Sequence, residues 1–263
     1  MTPGAPPTVL AHPDESLLAK AVAARLVTRL VDVQAARGAA SVVLTGGGIG
    51  TRVLAQMAAA PARDAVDWRR LDVWWGDERY LPDGDTDRNE TAARAALLDH
   101  VNVRPERVHA MPASDGPDAG PEAGAERYAD LLRAAARPED HGPVPSFDVL
   151  MLGIGPDGHV ASLFPGLPAV YEDERPVVAV RGAPKPPPTR ISLTFPAIAA
   201  AREVWIIASG EEKAAAVRMA LSGEAGAIQL PAAGARARQS TLFLVDHAAA
   251  SHLPAPMLER GRI

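Results

Sequence analysis

The chain has no cysteine among its 263 residues. Disulfide staples, thiolate nucleophiles and cysteine-held metals are therefore excluded. Aromatic residues are scarce at 4%, a compositional bias that carries no functional reading. Positive charge is not in excess, since 27 Lys and Arg face 32 Asp and Glu for a net charge of −5. Proteins that live on nucleic acid usually carry a basic stripe. None is present, so no nucleic-acid partner is expected. The negative balance still allows an anionic ligand, because a local site can be positive on a negative surface. No apolar run approaches the roughly 18 residues of a membrane span, so no membrane association is expected. The N-terminus, MTPGAPPTVLAHPDE, lacks the basic and apolar regions of a secretory signal. A soluble cytoplasmic protein is the expectation.

Apolar residues at 47% and charged residues at 22% give the balance of an ordinary soluble globule. The length suffices for a core that needs no staples. Short apolar runs alternate with helical patterns. Pro13-Asp14 opens a helix with apolar Leu17, Leu18, Ala21, Val22, Leu26 and Leu30, ending near Gly38. A buried strand is predicted at Ser41–Thr45, then a glycine loop at Gly46–Gly50 and a helix to about Ala60. Leu71–Trp75 is the next strand, and Asn89 can cap a helix over Glu90 to Val101. A helix is predicted from about Ala123 to Ala136, and a strand at Phe147–Leu152. Val177–Val180 and Arg190–Thr194 are short strand candidates around a proline-rich loop. Glu203–Ala208 is a strand, Glu211–Leu221 a helix and Leu242–Val245 a last strand.

Apolar strands separated by helices predict an α/β fold in three layers, αβα, around a mainly parallel sheet. No internal repeat or long linker is visible. Gly116–Gly124 and Arg137–Ser146 read as loops, so residues 1–263 are read as one domain, as a monomer or homodimer. In such sheets ligands bind beyond the carboxyl ends of the strands. That rule gathers Gly46–Gly50, Gly76–Arg79 and Gly153–His159 on one edge, where they would form a pocket.

TGGGIGTR, Thr45 to Arg52, joins a strand to a helix. Free backbone N–H groups at a helix start suit a phosphate. Three consecutive glycines, Gly46, Gly47 and Gly48, exceed what a turn needs. A P-loop would end in Gly-Lys-Ser/Thr, which is absent. A dinucleotide fingerprint would need glycine where Thr51 stands. Phosphate or sugar phosphate is thus favoured over a nucleotide.

The seven histidines are His12, His100, His109, His141, His159, His247 and His252. Only His159 follows a buried strand in a glycine-rich loop, GIGPDGH, with Asp157 two residues before it. Histidine is suited to take a proton near neutral pH, and a carboxylate can orient its ring. A plain Pro-Asp-Gly turn with a solvated histidine is the bland alternative. One Asp-x-His pair supplies too few ligands for a metal. No serine lies in G-x-S-x-G, Ser162 included. Direct attack by water is therefore expected, with no metal or organic cofactor.

WWGDERYLPDGDTDRN, Trp74 to Asn89, sets Asp77, Glu78 and Arg79 just after a strand. They read either as a solvated charge run or, through Arg79, as a grip on an anionic or hydroxyl-rich ligand. GAPKPPPTRISLTF, Gly182 to Phe195, carries Lys185 and Arg190 around prolines that stiffen the loop. It reads as a phosphate clamp or as a rigid linker.

Five segments in order, VVLTGGG, VWWGDERYLP with DRN, FDVLMLGIGPDGHVASLFPG, PKPPPTRISLT and VWIIASGEEKAAAV, carry a resemblance. Over nearly its whole length the chain resembles the glucosamine-6-phosphate isomerase/6-phosphogluconolactonase family, on its lactonase side. The resemblance implies a NagB/RpiA/CoA-transferase-like fold, shared with glucosamine-6-phosphate deaminase and ribose-5-phosphate isomerase. It implies hydrolysis of 6-phospho-D-glucono-1,5-lactone, the second step of the oxidative pentose phosphate pathway. By the same resemblance His159 would be the general base and Asp157 its neighbouring carboxylate. Arg79, Lys185 and Arg190 would be the cations near the substrate, Gly46, Gly47 and Gly48 the phosphate loop, and Asp77 would lie at the substrate site. One departure is that Gly48-Ile49 stands where the family usually has a hydroxyl residue, which leaves Thr45 or Thr51 as substitutes. The rival readings are a deaminase or isomerase of the same fold, and a sugar-phosphate sensor without turnover. Deaminases typically continue with Phe-Asn-Glu-Pro where this chain has Ser162-Leu163-Phe164-Pro165.

Overall fold

The computed structural model describes residues 6–140 and 142–259. His141 and residues 1–5, with the start of the segment inspected for a secretory signal, lie outside the described residues. The described strands are β1 (Thr8–His12), β2 (Ala40–Leu44), β3 (Leu71–Trp75), β4 (Asp77–Arg79), β5 (Val149–Gly153), β6 (Val177–Val180), β7 (Arg190–Leu193), β8 (Glu203–Ala208) and β9 (Ser240–Asp246). Six of them form a parallel sheet in the order β1-β9-β8-β5-β2-β3. The other three form a small antiparallel sheet, β4-β7-β6. Val149 to Leu152 of central β5 are fully buried. A strand covered on both faces reads as a continuous apolar run, as this one does.

Helix α1 (Glu15–Arg37) starts where the Asp14 carboxylate accepts from the Leu17 N–H at 2.8 Å. It stops at Gly38, whose φ of +81° is left-handed. Leu18, Val22, Leu26, Leu30 and Val33 form its buried stripe. Helix α2 (Gly47–Ala59) follows β2, α3 (Asn89–Ala96) follows β4, and α4 (Pro121–Ala135) precedes β5. Helices α5 (Phe195–Ala199) and α6 (Ala214–Ser222) flank β8 in the chain. Among the described residues no helix is long and apolar enough to cross a membrane.

At four points the structure adds to or departs from the sequence reading. Strand β1 was not anticipated; as an edge strand on β9 it is held by register rather than by a long apolar run. The run after β3 is a strand, β4, and its acids are not solvated. Asp77 and Glu78 are only 7% and 1% exposed. Asn89 does not cap α3. The cap is the Glu78 carboxylate, which accepts from the N–H groups of Asn89 at 2.7 Å and Glu90 at 2.8 Å. Burial pushes the Glu78 carboxyl up to about 7, against the pull of Arg88 and of the backbone donors Asn89, Glu90 and Arg79. Helix α3 is also shorter than the expected span, because Leu97 leaves helical geometry at φ −147°.

Strand β4 continues β3 after one residue, Gly76. The Gly76 N–H donates to Leu44 O in the large sheet at 3.0 Å. Its carbonyl accepts from Leu193 N in the small sheet at 2.9 Å. The two sheets therefore meet at the carboxyl edge of the large one.

Candidate active site

A cleft of about 420 Å³ opens at that edge. Its walls include the three segments that topology placed there: Thr45 to Ile49, Asp77 and Arg79, and Gly153 to Gly155 with His159. Lys185 and Arg190 reach the same cleft from the small sheet.

The glycines are less a loop than the start of α2. Gly46 is the N-cap and Gly47, at φ +81°, begins the helix. A Cβ on Gly46 would lie 1.9 Å from Asn89 Oδ1, so a side chain there would displace Asn89. The first turn of α2 holds no acidic residue. Its free N–H groups and the helix dipole both favour an anion in the cleft. Thr45 faces the cleft, and its Oγ1 accepts from Gly153 N at 3.0 Å. Thr51 lines a neighbouring groove instead. Of the two hydroxyls, the one at Thr45 is within the main cleft.

After β5 the chain makes a tight loop. Gly155 N donates to His159 O at 2.9 Å, and Gly158 N to Gly155 O at 2.9 Å. Gly158 takes a left-handed φ of +82°, which favours glycine. The loop folds His159 back on Asp157, with Nδ1 to Oδ1 at 2.5 Å. Burial raises the Asp157 carboxyl, but the hydrogen bond and charge of His159 outweigh it and hold it below its ordinary value. With Nδ1–H donating to the Asp157 carboxylate, the neutral ring carries its lone pair on Nε2. The His159 ring packs on Phe164, centroids 4.5 Å apart. Its Nε2 makes no hydrogen bond among the described residues.

Gly155 supports this pair from behind. A Cβ there would fall 2.0 Å from His159 Nδ1 and 2.3 Å from Asp157 Oδ1. Both are ends of movable side chains, so Gly155→Ala should fold but displace the pair. Misplacement by about 1 Å can cost about 10²-fold. The expected result is a kcat loss of that order with little change in Tm, read by steady-state kinetics and thermal melting. A variant of normal kcat would show that the placement is unimportant.

Arg79 lines the cleft. It donates from Nη1 to Asp87 O, and its buried Nε has no partner among the described residues. Asp77 is not a free acid: its Oδ2 accepts from Ser162 Oγ at 2.6 Å and lies 3.9 Å from Arg190 Nη1. The backbone at Ala161 is left-handed, φ +49°, just before Ser162 turns inward. Lys185 is exposed and forms no ion pair among the described residues. Residues the sequence reading passed over also reach the cleft: Asn89, Glu15, Glu212 and Lys213. Lys213 Nζ lies 3.4 Å from Glu212 Oε1. The signal was available, because SGEEK follows β8 at the same sheet edge as the other three segments.

A cationic cleft with an Asp–His pair, set at the carboxyl edge of a parallel sheet, belongs to an αβα enzyme of small anionic substrates. A family model described as glucosamine-6-phosphate isomerases/6-phosphogluconolactonase matches residues 13–244. The chain is 64% identical over 249 residues to a 6-phosphogluconolactonase of Streptomyces coelicolor, covering 94% of this chain and 95% of the relative. It is 49% identical over 243 residues to the 6-phosphogluconolactonase of Mycobacterium tuberculosis, covering 92% and 96%. The solved 6-phosphogluconolactonase of Trypanosoma brucei superposes with a TM-score of 0.80 at 28% identity, covering 94% of this chain and 99% of that one. The chain belongs to the glucosamine-6-phosphate isomerase/6-phosphogluconolactonase family.

Proposed function

We propose that the chain hydrolyses 6-phospho-D-glucono-1,5-lactone to 6-phospho-D-gluconate, the second step of the oxidative pentose phosphate pathway. The observation that carries the mechanism is the imidazole of His159, held at Nδ1 by Asp157 at 2.5 Å and facing the cleft. The phosphate sits on the N–H groups opening α2, with Lys185 and Lys213 as its cations. Neutral His159 takes a proton at Nε2 from a water poised over the C1 carbonyl. The water oxygen bonds to C1, and the carbonyl oxygen becomes an oxyanion stabilised by Arg79 or by backbone N–H groups. Collapse breaks the bond from C1 to the ring oxygen. Protonated His159 returns the proton to that oxygen, so no covalent intermediate forms and the base is regenerated.

General base catalysis contributes about 10²–10⁴-fold, and each oxyanion donor about 2.7–4 kcal/mol. An activated ester asks for no more than these two terms. The name shared by the close relatives supports the lactone substrate. The rival deaminase reading has less support, because the glutamate of the deaminase segment is replaced here by Phe164, buried and packed on His159.

The test is hydrolysis of freshly made 6-phosphogluconolactone against its spontaneous background, beside the unphosphorylated lactone and glucosamine 6-phosphate. Strong preference for the phosphorylated lactone is expected, with no ammonia released from the amino sugar. Ammonia release would favour the deaminase. Tight binding of 6-phosphogluconate without turnover would favour a sensor.

A further inference from the structure

We propose that Arg190 is a positioning residue that holds the Lys185 loop in place, rather than a ligand of the substrate's phosphate. The inference rests on the lactonase reading for its kinetic arm and on geometry for the rest. The loop between β6 and β7 contains Pro184, Pro186, Pro187 and Pro188. Prolines carry carbonyls but no N–H, so the loop has more acceptors than it can satisfy itself. One internal bond closes it, from Ala183 N to Pro188 O at 3.0 Å. The donors come from Arg190. Its Nη2 donates to Lys185 O at 3.0 Å and Pro186 O at 3.2 Å, and its Nε to Pro187 O at 3.2 Å.

The rest of the guanidinium is partly engaged. Nη1 lies 3.9 Å from Asp77 Oδ2. The Phe164 ring covers one face, 5.7 Å from Cζ. Arg190 is 7% exposed, whereas Lys185, which lines the same cleft, is exposed. A planar fork reaches these carbonyls from two separate nitrogens while lying over a ring; the donors of an ammonium all radiate from one atom and do not match that spread. The residue that grips the loop is therefore distinct from the residue the loop presents.

The experiment compares Arg190→Lys, Arg190→Gln, Lys185→Met and the double variant Arg190→Gln/Lys185→Met on both lactones. A lost charge-assisted contact to phosphate corresponds to about 10- to 100-fold. Arg190→Lys should lose nearly as much kcat/KM as Arg190→Gln, mainly through KM. Its selectivity for the phosphorylated lactone should fall by the factor seen in Lys185→Met. The double variant should be no worse than either parent within about twofold. Arg190→Lys with parental selectivity, or losses that multiply, would overturn the proposal in favour of direct contact. Hydrogen exchange at the Ala183 amide is read in parallel. It should quicken in both Arg190 variants and stay unchanged in Lys185→Met. Unchanged protection in Arg190→Gln overturns the proposal whether or not the protein turns over lactone.

Discussion

Replacing His159 with alanine should lower kcat about 10²–10⁴-fold, the range that a positioned general base supplies. KM should move little, because the proposed grip on the phosphate comes from α2, Lys185 and Lys213. Folding should survive, since the imidazole packs on one face of Phe164 and the backbone bond from Gly155 N to His159 O remains. The measurement is steady-state hydrolysis at neutral pH, corrected for the spontaneous reaction. A variant with kcat within about twofold of the parent would remove His159 from the chemistry.

The second large effect is expected from Asp157→Asn. The substitution keeps size and shape but exchanges an acceptor for an amide that can donate to Nδ1. The imidazole would then carry its proton on Nε2 and have no lone pair for water. A comparable swap in a serine-protease triad costs about 10⁴-fold through the wrong tautomer. Asp157 is 37% exposed and its replacement can rotate, so a loss of about 10²-fold is expected here. The same variant tests stability against pH. The folded Asp157 carboxyl is depressed below 3.8. Its contact with His159 therefore stabilises above the ordinary carboxyl range and is lost as pH falls through the depressed value. Asp157→Asn should flatten that part of the acid limb in melting curves taken at stepped pH. An acid limb identical to the parent's would contradict the Asp157–His159 contact.

The parts legible in the sequence are those decided locally. Asp14 and Gly38 bracket α1 because one caps with its own side chain and the other tolerates a left-handed φ. Buried parallel strands read as apolar runs, and their carboxyl ends point to the cleft by topology. His159 and Asp157 were legible because two residues of tight loop suffice to bring them together. The rest depends on partners far away in the chain. DER reads equally as a solvated run or as a grip on a ligand, because nothing nearby reveals Ser162 beneath Asp77 or Arg88 beside Glu78. Asn89 looks like a cap, yet its side chain donates to Asp77 O at 2.9 Å and backs Gly46. Arg190 looks like a free cation, and only the fold reveals that prolines claim its donors. Lys213 was missed for a different reason: the strand-end rule was not applied to β8.

Gly76 sets how freely the enzyme can reshape itself. One residue joins the histidine-bearing sheet to the cation-bearing one, and it is bonded to both. Such a weld means that a swing of one wall against the other would strain the two hydrogen bonds at this residue. The tips carrying Lys185 and Lys213 lie away from that junction, in the segments after β6 and β8, so any widening of the cleft for a departing acid is expected there.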